Sequence, residues 1–74
     1  MSVNVLFFGV VAEHVGCTSK PMQAGESLKA MIAQLGCADM QPLLVAVNQE
    51  QIQDMDYIMQ DGDEVALMPP FSGG

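Results

Sequence analysis

The 74-residue chain is half hydrophobic, and its nine acidic residues against two lysines give a net charge of −7. This length predicts one domain, and the lack of a basic patch argues against nucleic-acid binding. No apolar run approaches the roughly 20 residues that cross a bilayer, and the N-terminus lacks the basic region of a signal peptide. We therefore expect a globular, cytoplasmic protein that does not associate with membranes. The acidity fits either a partner with a positive surface or simple solubility.

The first third of the chain predicts a strand, an ambiguous segment and a second strand. Residues 3–8 are rich in β-branched and aromatic side chains, which favours a strand. Residues 10–16 fit a loop or one helical turn equally well. Residues 18–23 fit a short return strand, which Pro21 would place at the edge of a sheet.

Residues 27–36 carry the clearest helix pattern. Ser27 is a suitable N-cap, and Gly36 lies where a left-handed C-terminal cap is expected. Apolar residues between them recur at helical spacing, which predicts one buried stripe. The stripe consists of Leu28, Met31, Ile32 and Leu35.

The second half of the chain predicts three further strands. Residues 43–47 form a continuous apolar run, which is typical of a strand buried on both faces. Residues 51–52 could begin a small strand, and residues 61–63 carry a turn signature around a glycine. Residues 64–68 alternate as the last strand until Pro69 ends it.

This order of elements predicts an α+β fold of the β-grasp, or ubiquitin-like, type. One main helix would cover one face of a mixed sheet of four or five strands, with the N- and C-terminal strands as its central pair. We expect a single domain over residues 1–74, with a flexible C-terminal tail at 71–74.

Strand alternation places two apolar side chains on the face that the helix leaves uncovered. If Val5 and Val65 face the helix, then Phe8 and Met68 lie near each other on the opposite side. Such a patch is either a docking surface or incidental apolar exposure, which is common in proteins.

An acidic cluster and a single histidine are the catalytic candidates. Asp61, Asp63 and Glu64 could hold a cation or act as acid and base, but a turn also requires polar residues around its glycine. His14 has no nucleophile at a recognisable spacing, so we expect it to be a solvated loop residue. Catalysis by this chain alone therefore has little support.

The two cysteines, Cys17 and Cys37, are twenty residues apart. A structural zinc site needs four ligands at close spacing, so we predict no metal site. Without a secretory signal, we expect two reduced cysteines that serve in packing rather than a disulfide.

The C-terminal end is the most informative feature of the sequence. Pro69 and Pro70 fix their φ angles and so stiffen the chain, whereas Gly73 and Gly74 lack a Cβ and can enter a narrow slot. The pattern predicts a tail that delivers a terminal carboxylate into the active site of another protein.

Four segments together form a recognisable pattern, namely Val5-Leu6-Phe7-Phe8, Val47-Asn48-Gln49, Asp61-Gly62-Asp63-Glu64-Val65 and Pro69-Pro70-x-x-Gly73-Gly74. With these segments the chain resembles the family of small, sulfur-carrier subunits of molybdopterin synthase. The resemblance covers nearly the whole chain, and the double proline and the Gly-Asp-Glu-Val turn are its most specific parts.

The resemblance implies that Gly74 carries the chemistry. An E1-like adenylyltransferase would use ATP to adenylate its carboxylate, and a sulfur donor enzyme would convert the adenylate to a thiocarboxylate. The thiocarboxylate would then pass sulfur to cyclic pyranopterin monophosphate during molybdenum cofactor biosynthesis. The chain would be a non-catalytic subunit with no bound cofactor.

The resemblance also implies how this chain binds its partner. Two small and two large synthase subunits would form a heterotetramer, with each tail inserted into a large subunit. The inserted residues would be Pro69, Pro70, Phe71, Ser72 and Gly73. The docking residues would be Phe8, Met68 and Ile52, although Met68 replaces a commoner aromatic residue and Phe71 is bulkier than usual.

Three other functions remain open at this point. The chain could carry sulfur for thiamine thiazole synthesis or tRNA thiolation, although those families seldom have the double proline. It could be a ubiquitin-like modifier that is attached to lysines through Gly74. It could also be an interaction module with an inert tail.

Overall fold

The computed structural model describes residues 1–40 and 42–70, which form five strands and two helices around one sheet. In chain order these elements are β1 (Ser2–Phe7), α1 (Val10–Val15), β2 (Ser19–Gln23), α2 (Leu28–Gln34), β3 (Leu44–Val47), β4 (Glu50–Ile52) and β5 (Glu64–Met68). The strand order across the sheet is β2-β1-β5-β3-β4. Strands β1 and β5 are parallel and the other pairs are antiparallel, so the sheet is mixed as predicted.

The first and last strands form the centre of the sheet, which confirms the predicted central pair. Val5 lies opposite Val65, and Phe7 lies opposite Leu67. All four side chains are buried, whereas Leu6, between Val5 and Phe7, is only partly buried. The alternation that the sequence predicted therefore holds in both strands, and it separates a core face from an uncovered face.

Helix α2 lies where the sequence predicted it and supplies the core from one side. The Ser27 hydroxyl accepts a hydrogen bond from the backbone N–H of Ala30 at 3.1 Å, as an N-cap does. Gly36 has a φ of 75°, which is the left-handed conformation expected just beyond the helix. Leu28, Met31 and Ile32 are buried in the same cluster as the inner face of the sheet.

The ambiguous segment after β1 is helical. Helix α1 buries Val11 completely, and Gly16 ends the helix in a left-handed conformation. His14 is exposed, as predicted, but the prediction that it lies in a loop is wrong, because it lies in α1. Its Nε2 is 2.9 Å from the carbonyl oxygen of Gly36. Although exposed, His14 therefore connects α1 to the end of α2.

Strand β2 lies at the edge of the sheet, where the sequence placed it, and Pro21 pairs with Asn4 of β1.

Neither cysteine forms a disulfide. Burial raises the pKa of the Cys37 thiol, which packs in the core. Cys17 is exposed, so the expectation that both cysteines serve in packing is wrong for this residue.

Within the described residues, no helix has the length and apolar character needed to span a bilayer.

Candidate functional site

An open apolar groove lies on the uncovered face of the sheet, at the end where the chain leaves β5. Its volume is about 370 Å³, and it is lined by Phe8, Gly9, Leu44, Met68 and Pro69. Phe8 is 47% exposed, although such a large aromatic side chain usually gains from burial. The groove therefore presents apolar surface to solvent beside the base of the tail.

The three central strands bring the side chains of the groove together. The Phe8 N–H donates to the Leu67 carbonyl at 3.1 Å, which extends the β1–β5 ladder by one residue. Leu44 lies opposite Met68 at the end of the β3–β5 ladder. Because neighbouring residues of a strand point to opposite faces, the buried Val45 and Leu67 place Leu44 and Met68 on the uncovered face.

Gly9 lines the groove and lies very close to Pro69, at the start of the tail. Its φ is 58°, and a Cβ added at this position would lie 3.1 Å from the Cγ of Pro69. Both the backbone conformation and the close approach favour glycine. The β1–α1 junction thus packs tightly against the residue at which the chain turns out of the sheet.

The groove contains two of the residues predicted to dock, and it also contains Leu44, which the sequence patterns did not single out. Phe8 and Met68 share it, as their predicted positions required. Leu44 lies in an apolar run that predicted a strand buried on both faces, so the pattern did not distinguish it from its neighbours. The structure buries Val45 and Val47 on the core face but leaves Leu44 half-buried on the other. The pairing of Leu44 with Met68 could not be known until the register of β3 against β5 was known.

Ile52 lies apart from the groove. It pairs with Val45 and packs against the core, which puts it on the opposite face of the sheet from Phe8 and Met68. The residue of β4 on the groove face is Gln51, opposite Ala46. The structure therefore does not join Ile52 to the other predicted docking residues.

The turn between β3 and β4 sets this register. Asn48 and Gln49 have φ angles of 53° and 71°, the positive values of a two-residue hairpin turn. A shift of one residue in such a hairpin would exchange the faces of Gln51 and Ile52. The choice between these two residues therefore depends on the turn.

The predicted insertion tail begins at the groove. Pro69 and Pro70 are half-buried where the chain leaves β5. The remaining predicted residues, Phe71, Ser72, Gly73 and Gly74, lie outside the described residues.

Asp63, at the opposite end of β5, is held by three hydrogen bonds. Its carboxylate accepts from the Tyr57 hydroxyl at 2.7 Å, from Asn48 Nδ2 at 2.9 Å and from the Gln60 N–H at 2.9 Å. These bonds, that from the Gln60 backbone first, lower the pKa of Asp63, although its burial acts in the opposite direction. The hydrogen bond from the Tyr57 hydroxyl to Asp63 also raises the pKa of Tyr57, because it stabilises the protonated hydroxyl beside an anion.

Asp61 and Asp63, on either side of Gly62, thus form hydrogen bonds within the chain. Asp61 accepts from the Ser2 N–H at 2.9 Å, and the Gly62 N–H donates to the Ser2 carbonyl. Over residues 1–40 and 42–70, no group of three acidic, histidine or cysteine side chains is placed to hold a metal ion.

A mixed five-stranded sheet with its main helix on one face is the architecture of a β-grasp, or ubiquitin-like, protein. Residues 5–74 match the model of the ThiS family, and the chain belongs to that family.

Curated relatives match over nearly the whole chain. The molybdopterin synthase sulfur carrier subunit of Escherichia coli is 40% identical in an alignment of 82 positions, which covers 97% of this chain and 99% of that protein. The human protein of the same name is 34% identical, over 97% of this chain and 93% of its own length.

Solved structures confirm the fold. A subunit in the complex of subunits 1 and 2 of the molybdopterin-converting factor from Helicobacter pylori is 29% identical and has a TM-score of 0.71, with both chains fully covered. The small archaeal modifier protein 1 of Haloferax volcanii has a TM-score of 0.74 over 95% of this chain and 98% of its own. It is only 20% identical, so this likeness concerns the fold alone.

Proposed function

We propose that this chain is the sulfur-carrier subunit of a molybdopterin synthase. The observation that carries the proposal is the near-complete match to curated proteins of that name, at up to 40% identity over 97% of the chain. The groove at the base of the tail supports it, because a carrier needs a surface that docks its body while its end reacts. The Helicobacter complex supports a large subunit as the partner.

The proposed chemistry takes place at Gly74. A free terminal carboxyl group has a pKa of about 3.5, so it is ionised and unreactive at neutral pH. An E1-like enzyme would join a carboxylate oxygen to the α-phosphorus of ATP, with pyrophosphate as the leaving group. A sulfur donor would then displace AMP and leave a thiocarboxylate, which is a good sulfur nucleophile.

The body of the chain has a positioning role in this scheme. Four residues beyond Pro70 reach at most about 14 Å, so the tail can enter a neighbouring active site only if the body lies against that subunit. The chain would bind no cofactor itself, since ATP is used by the activating enzyme. We propose a cytoplasmic assembly of two small and two large subunits, in which the large subunit holds the pterin substrate.

Two assays in sequence test the proposal. The chain is first incubated with its activating enzyme, ATP and a sulfur source, and its intact mass should rise by about 16 Da as sulfur replaces oxygen. The large subunit and cyclic pyranopterin monophosphate are then added, and molybdopterin should form. A constant mass would contradict a sulfur carrier of any kind, whereas a gain without pterin product would contradict only the molybdopterin pathway.

A further inference from the structure

Leu44 is the one residue of the apolar groove that comes from β3. It lies opposite Met68, and it stays half-buried although the next residue, Val45, is almost completely buried on the core face. The side chain therefore contributes to the wall of the groove without being enclosed in the core.

The lining of the groove limits what can occupy it. All five lining residues are apolar, so no side chain among the described residues offers an inserted group a charge or a hydrogen bond there. A charged or amide side chain would lose its hydration there without finding a partner, whereas an aliphatic or aromatic side chain would gain from burial. The matching occupant is an uncharged apolar side chain.

The position of the tail indicates which protein supplies that side chain. Pro69 is both a wall of the groove and the first residue beyond β5. Because the residues beyond Pro70 extend no more than about 14 Å, a protein that receives Gly74 must lie against this end of the sheet. The receiving subunit therefore covers the groove when the tail is inserted.

We propose that Leu44 is a specificity-determining docking residue, and that an apolar side chain of the large synthase subunit inserts between Leu44, Phe8 and Met68. This inference rests on the proposed function and adds to it a third side chain and the chemistry of the contact. If Leu44 served only the fold, it would simply shield Met68, and its replacement would change stability alone.

The test compares three variants of the full chain. Leu44→Thr keeps a strand-forming residue but adds a hydroxyl, Leu44→Met restores an apolar side chain, and Ile58→Thr is the matched control. Ile58 is 47% exposed and forms a bridge with Ser27, away from the groove. Each variant is prepared as its C-terminal thiocarboxylate by intein cleavage in ammonium sulfide, so that the activating enzyme is not needed.

We expect Leu44→Thr to weaken binding to the large subunit about tenfold, as removal of a buried interface contact does. Its KM in sulfur transfer should rise by a similar factor, while kcat at saturation stays unchanged. Leu44→Met and Ile58→Thr should bind like the wild type. Thermal unfolding of each variant shows whether any loss reflects the fold instead.

Three results would overturn the inference. One is wild-type affinity in Leu44→Thr, and another is an equal loss in Ile58→Thr. The third is self-association of the free chain that Leu44→Thr abolishes, which would identify a second copy as the occupant. If the wild-type thiocarboxylate itself fails to bind the large subunit, the proposed function fails too, and that result is distinct from a selective defect of Leu44→Thr.

Discussion

The two ends of strand β5 differ: hydrogen bonds surround the residue before its start, whereas an apolar groove lies at its end. Asp63 has three donors around its carboxylate, and the Glu64 N–H donates to Asn48 Oδ1 at 3.0 Å. Five residues later, Met68 lies half-buried beside the exposed Phe8. One end of the strand satisfies its polar groups within the chain, whereas the other leaves apolar surface uncovered.

This difference teaches how a small domain can separate stability from binding. Buried polar groups that are fully hydrogen-bonded hold a unique arrangement, and they are costly to disrupt. A small apolar groove can remain exposed in the free protein, because folded proteins commonly carry apolar atoms on their surface. We therefore expect changes at the Asp63 end to alter unfolding and changes at the tail end to alter transfer.

Deletion of Gly74 should have the largest effect on transfer. Without its terminal carboxylate at the right distance, the tail should not gain sulfur, and molybdopterin formation should fall to background. The melting temperature should not change, because the buried cluster of the described residues ends at Leu67, before the tail begins. Intact mass and thermal unfolding measure the two effects.

The control for this deletion is Ser72→Ala, which keeps the length of the tail. It should retain the mass gain of the wild type. A loss of folding on deletion of Gly74 would mean that the tail has a structural role.

Asp63→Ala should have the largest effect on stability. It leaves the Tyr57 hydroxyl and Asn48 Nδ2 without their acceptor, so the free energy of unfolding should fall by about 3 kcal/mol. Chemical denaturation measures this loss. Sulfur transfer should persist at temperatures where the variant is folded.

The neighbouring aspartate provides the control for Asp63. Asp61→Ala removes a single exposed hydrogen bond to the Ser2 N–H and should cost about 0.5 kcal/mol. Equal losses in the two variants would show that Asp63 is no more than a surface turn residue.

Gly9→Ala should affect both stability and transfer. The positive φ should cost about 2 kcal/mol, and the new Cβ should displace Pro69 and raise the KM for transfer. Gly25→Ala is the matched control, because Gly25 has a φ of 93° but nothing within 4 Å of an added Cβ. Both variants should lose stability in denaturation, and only Gly9→Ala should change KM.

The smallest expected effect is a pH dependence at the Asp63 end. Because folding lowers the pKa of Asp63, its ionised form stabilises the fold above the ordinary value of 3.8, and this contribution is lost as the pH falls through the lowered pKa. Folding raises the pKa of Tyr57, so its contribution is present below the ordinary value of 10.0 and is lost as the pH rises through the raised pKa.

Denaturation across the pH range measures this dependence. The free energy of unfolding of Asp63→Asn should fall less at acid pH than that of the wild type. That of Tyr57→Phe should fall less at alkaline pH. If both variants keep the pH dependence of the wild type, the hydrogen bond between Tyr57 and Asp63 does not make stability depend on pH.

The sequence by itself determined the elements whose signals are local. Ser27 and Gly36 mark the ends of α2, and the alternation of β5 stops at Pro69; each of these signals lies within a few residues of the structure it controls. The same alternation placed Phe8 and Met68 on one face. The motifs at residues 61–65 and 69–74 also indicated the family.

Only the tertiary structure decided which residues complete the groove and which complete the hydrogen-bond network. Leu44 joins Met68 through the register of β3 against β5, and Ile52 turns to the core through the geometry of its hairpin turn. Asp63 accepts from Tyr57 and Gln60 in the loop before it and from Asn48 in the β3–β4 turn. The strand pairings join residues distant in the chain, and a shift of one residue in register would reverse them, so local patterns could not determine them.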